Sequence, residues 1–79
     1  MSAPGTTEYV RSLTVAQVVQ TVRSIKAVAD AGDDERAHSM EDDLMRAVLG
    51  AVAIGHPQGQ AMAIAALMTA GIDFHRWCA

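Results

Sequence analysis

The sequence predicts an all-α fold: an antiparallel helical hairpin at about 14–31 and 33–54, a third helix at about 57–70, and a short C-terminal helical turn at 73–78. Three observations carry this expectation. The chain has 15 alanines and five methionines but one Phe, one Tyr, one Trp and no Asn. Strands and hairpins draw on β-branched, aromatic and Asn-Gly chemistry, whereas Ala and Met are good helix formers. Apolar residues recur at spacings of three and four in two long stretches, and each stretch is bracketed by cap and stop signals. With 79 residues there is room for one domain and a thin core.

Residues 1–12 (MSAPGTTEYVRS) mix Pro, Gly, Ser and Thr without periodicity. This segment is expected to be mobile, with Tyr9 and Val10 able to dock onto the body, and residues 13–79 to form a single small helical domain. Thr14 and Gln17 then read as a capping box, with Leu13 and Val18 at the hydrophobic-staple positions. Val15, Val18, Val19, Val22, Ile25 and Ala29 make the apolar stripe of this first long helix, with Lys26 at its edge. The words LTVAQVV resemble the opening of helix-turn-helix domains. The helical pattern continues straight through RSIKAVADA, however, where such a domain would turn.

The second long helix, Asp33 to Gly55, organises the chain. Gly32 ends the preceding helix, Asp33 is a good N-cap, and Asp34 and Glu35 suit the positive end of the helix dipole. Gly55 and Pro57 supply the stop. Ala37, Met40, Leu44, Ala47, Val48, Ala51 and Val52 form its stripe, and Asp42 with Arg46 has i,i+4 spacing. Glu41 interrupts that stripe. Aligning the two helices about Gly32 sets Ile25 opposite Glu41 and Lys26 beside it. The expectation is therefore a buried polar cluster of Lys26, His38 and Glu41, with Arg23 and Arg76 as lesser partners for the carboxylate, since a buried unpaired carboxylate is costly.

The third helix begins after the GHPQG loop and is apolar all the way round from Ala61 to Met68. Two helices cannot cover a third completely, so part of it should face another chain. Ala63, Ala66 and Ala70 form a small-residue ridge, expected to meet a second copy while Ile64 and Met68 face the protein's own core. Asp73 should cap the last turn, and Ile72, Phe74 and Trp77 should dock on the helix pair.

Chemistry is sparsely signalled. No Ser or Cys stands in a nucleophile motif and there is no Gly-rich phosphate loop, so no catalytic residue is assigned. No metal or cofactor is expected. The nearest approach to a ligand set is His38, Glu41 and Asp42, whose spacings of three and four would let them share a cation, but the other helices offer no matching acids. His75 and Cys78 make only a lone H-x-x-C. Net charge is −3, which argues against nucleic-acid binding. The longest apolar runs are too short to span a bilayer, no signal peptide is expected from the N-terminal residues, and a single cysteine fits a reducing compartment. A cytoplasmic protein without a membrane partner is expected.

From Asp33 onward the patterns DDExAHSxEDDLxxxVL, IAxGHP and IDFxRWCA cover 47 residues and are clearest over Ala37–Leu44 and Ile72–Ala79. They resemble a group of short, uncharacterised proteins from actinobacteria and their bacteriophages. The resemblance implies an accessory protein of such a cell and nothing about chemistry. Taken together, the expected function is a small non-enzymatic protein–protein interaction module that forms a homo-oligomer, a dimer, with a host protein as a further partner. The alternative from another class is a metal-binding protein or metal-dependent enzyme using His38, Glu41 and Asp42.

Overall fold

The computed structural model describes residues 7–76, with side chains from Tyr9 onward. Four α-helices follow one another: α1 (Thr7–Ser12), α2 (Val15–Asp30), α3 (Asp34–Ala53) and α4 (Gly59–Ala66). Helix α4 passes directly into a 3-10 helix, Leu67–Gly71, and residues 73–76 then run on without regular structure. The fold is the all-α hairpin the sequence predicts, with α2 packed on α3 and α4 packed across both.

Local chemistry explains the helix ends. The Thr14 hydroxyl accepts from the Gln17 amide at 3.1 Å while the Gln17 side chain accepts from the Thr14 amide at 2.9 Å, a complete capping box. The Asp33 carboxylate accepts from the Arg36 amide at 3.2 Å and so caps α3. Gly32 and Gly55 terminate the two long helices at φ of 86° and 75°, the left-handed region where a side chain is strained.

The core is drawn from the predicted stripes. Val18, Ile25 and Ala29 of α2 are buried against Ala37, Leu44, Ala47, Val48 and Ala51 of α3, and Met62, Ala65 and Ala66 of α4 close the third side. Val52, expected in the α3 stripe, is instead half exposed, with only one side covered by the start of α4 at Gly59.

Three placements differ from expectation. Residues 7–12, assigned to a mobile segment, form α1, which packs on α3 and buries Val10 completely. One isolated apolar side chain has no periodicity to announce it. The end of the third helix tightens into 3-10 geometry at Leu67–Gly71, and of the turn expected at 73–78 the described residues, 73–76, have no regular structure. Ile72 is buried and Phe74 half-buried, as expected of the docked tail. Trp77 and Cys78, and residues 1–6, lie outside the described residues.

The facing of α4 is also reversed. Ala66 is buried in the protein's own core and Ala63 is half-buried against it, with Ala70 exposed. The large residues Ile64, Leu67 and Met68 point outward. A helix that is apolar on every face gives no periodic signal for its orientation. Packing decides it: α4 starts close to α3, where a Cβ at Gly59 would lie only 3.3 Å from Val52 Cγ2, and its inner face carries Met62 as the one large plug among Gly59, Ala65 and Ala66.

Candidate functional site

Two surfaces concentrate the polar and apolar features that could do work. The first is centred on Glu41. Its side chain is only 12% exposed, confirming an acid set into the apolar stripe, but its partner is Arg76. Arg76 Nε donates to Glu41 Oε1 at 2.9 Å and Nη2 donates to Oε2 at 3.0 Å, a bidentate pair. The same Nη2 also donates to the carbonyls of Thr69 at 2.9 Å and Ile72 at 3.2 Å. The guanidinium stacks 3.7 Å over the Phe74 ring. One side chain thus ties α3, the end of the 3-10 helix and the tail together. The backbone amide of His75 adds a second tie, donating to Asp34 Oδ2 at 3.2 Å, two turns along α3 from Glu41.

The guanidinium holds the Glu41 carboxyl below its ordinary value. Partial burial opposes this shift, and the charge on His38 reinforces it weakly. The predicted Lys26–His38–Glu41 cluster is therefore corrected. Lys26 pairs on the surface with Asp30 at 2.8 Å, both side chains more than 60% exposed. It opens onto a cleft of about 480 Å³ between α2 and the 3-10 helix, lined also by Arg23, Met68 and Ile72. The 3-10 helix and Ile72 pack on that side of α2, and the tail carries Arg76 to the carboxylate instead. His38 approaches Asp42 at 3.5 Å, so Asp42 faces back along the helix instead of toward Arg46.

This geometry also places the three residues considered for a cation. Both oxygens of Glu41 are occupied by Arg76, leaving only His38 and Asp42 adjacent. Among the described residues no three His, Cys, Asp or Glu side chains converge on one point.

A residue missed by the sequence reading is His56, in the loop between α3 and α4. Its Nδ1 accepts from the Gln58 amide at 3.0 Å, and its Nε2 lies 2.9 Å from the Leu13 carbonyl. A backbone amide can only donate, so the ring proton sits on Nε2 and is given to Leu13. His56 staples the α3–α4 loop to the junction of α1 and α2. Its only sequence signal is the GHP triplet at a helix stop.

The second surface is apolar. Ile64, Leu67 and Met68 are 63%, 65% and 67% exposed, with Leu67 and Met68 three and four residues beyond Ile64 along α4 and the 3-10 helix. Leu49, Val52 and Ile54, at the C-terminal end of α3, are exposed as well. Among the described residues no helix is long and apolar enough to cross a membrane. No protein-family model, curated protein or solved structure matches the chain.

Proposed function

We propose that this protein is a small, non-enzymatic interaction module that self-associates through the apolar face of α4 and the 3-10 helix. The observation that carries the reading is the exposure of Ile64, Leu67 and Met68, three large apolar side chains within five residues of one helical segment. Contiguous large aliphatic residues left in water mark a partner surface. Charge supports the same face. From Ala47 to Ile72 the chain contains no Asp, Glu, Lys or Arg. The charges nearest it, Arg23, Lys26 and Asp30 of α2 and Asp73, lie around Met68 and include both signs, so they form a mixed rim to an apolar centre, and interface cores are depleted of charge. The contact would be two-fold symmetric, with the same residues presented by both copies. Ala70, exposed beside this face, remains part of the proposed interface, whereas Ala63 and Ala66 serve the protein's own core.

Leu49, Val52 and Ile54 offer a further apolar surface for a host protein. The resemblance over Ala37–Leu44 and Ile72–Ala79 supports an accessory role in the cytoplasm of an actinobacterial or phage-infected cell. The two stretches that carry it meet in the Glu41–Arg76 pair, which supports a shared scaffold. Sedimentation equilibrium at high micromolar concentration tests the interface. The wild type should be dimeric and Leu67→Asp monomeric with an unchanged helical spectrum. A monomeric wild type, or a dimeric Leu67→Asp protein, would refute the assignment.

A further inference from the structure

We infer that Arg76 and Glu41 are positioning residues for the interaction face, and that the guanidinium shapes that face by capping the carbonyls of Thr69 and Ile72. This rests on the reading of α4 and the 3-10 helix as the self-association surface. Leu67 and Met68 belong to the 3-10 helix, five residues long. Runs of that length are uncommon because the hydrogen-bond geometry of a 3-10 helix is poor, so this one needs support from outside itself.

The structure shows where the support comes from. Thr69 faces inward, fully buried, and its hydroxyl donates to the Ala66 carbonyl at 3.1 Å. The Ile72 amide donates to the Thr69 carbonyl at 2.9 Å, closing the last 3-10 turn. Arg76 Nη2 donates to that same carbonyl as its second donor and to the Ile72 carbonyl, where the backbone leaves regular structure. Glu41 aims the guanidinium: two parallel bonds from a rigid position on α3 allow the planar group one orientation. The chain of support runs from α3 through Glu41 and Arg76 to the backbone that carries Leu67 and Met68.

A bare structural tether and a positioning device differ in what a charge exchange restores. In the exchange variant, Glu41→Arg with Arg76→Glu, an ion pair between α3 and the tail is kept, but a carboxylate at 76 has no proton for the Thr69 and Ile72 carbonyls. The experiment measures three quantities on the full chain: the dimer dissociation constant by sedimentation, the melting temperature, and amide exchange across 67–72 by mass spectrometry. Arg76→Met should weaken the dimer about tenfold and speed exchange across 67–72 by a similar factor, the equivalent of one lost charge-assisted bond. The exchange variant should recover melting temperature relative to Arg76→Met while its dimer stays weak and its 67–72 amides stay fast. If it regains dimer affinity and slow exchange along with melting temperature, the pair is a tether and the positioning role is overturned. A wild type that is monomeric throughout would refute the interface itself, and exchange across 67–72 would then decide the support of the 3-10 helix separately. Unchanged exchange in Arg76→Met would overturn it.

Discussion

Replacing His56 by alanine removes two hydrogen bonds at once and tests whether this loop residue holds the two ends of the hairpin together. The ring donates to the Leu13 carbonyl across 43 residues of sequence and accepts from the Gln58 amide within its own loop. Each such bond contributes about 1 kcal/mol net, and a part-buried carbonyl left without a donor costs roughly 1 kcal/mol more. The expected loss is therefore about 2–3 kcal/mol. A chain of this length has a total stability of about 4–12 kcal/mol. At about 4–8 °C per kcal/mol, the melting temperature should fall by roughly 10–20 °C. His56→Asn separates the two bonds. An asparagine Oδ1 can accept from the amide two residues on, as in an Asx turn, but the shorter side chain cannot reach Leu13. It should recover about 1 kcal/mol. Urea denaturation followed by circular dichroism would read both variants as shifts in midpoint at constant slope. An alanine variant as stable as wild type, or an asparagine variant as damaging as alanine, would show that the staple between loop and α1–α2 junction contributes nothing measurable.

Glu41 should make the fold acid-sensitive: its carboxyl is held below the ordinary value of 4.5, so its stabilisation is complete above that pH and is lost as pH falls through the depressed value. Glu41→Gln should flatten that acid limb in melts taken from pH 6 to pH 2, whereas an acid limb of unchanged slope would place the titration elsewhere. Gly59→Ala should destabilise by about 1 kcal/mol despite the better helix propensity of alanine, because the added Cβ meets Val52 Cγ2 at 3.3 Å and the Val52 Cα at 3.4 Å. Gly59→Val should cost more, and a raised melting temperature in Gly59→Ala would refute the close α3–α4 crossing.

What the sequence determined by itself is what depends on neighbours a few residues apart. The Thr14–Gln17 capping box, the Asp33 cap, the glycine stops at 32 and 55, and the stripes of α2 and α3 all rest on bonds or contacts within about one helical turn. The sequence also identified Glu41 as an acid inside an apolar stripe, because a periodic pattern makes its own interruption visible. It could not name the partner: Arg76 stands 35 residues away, and the path of the tail along α3 chooses it over Lys26. Val10 became part of the core only because α3 lies beside α1. The facing of α4 was undetermined for a related reason. On a helix apolar all round, every face has the same claim to burial, and the choice passes to sterics. Packing takes Met62, Ala65 and Ala66 to the interior and leaves Ile64, Leu67 and Met68 outward, so the surface on which the proposed function rests was created by tertiary structure.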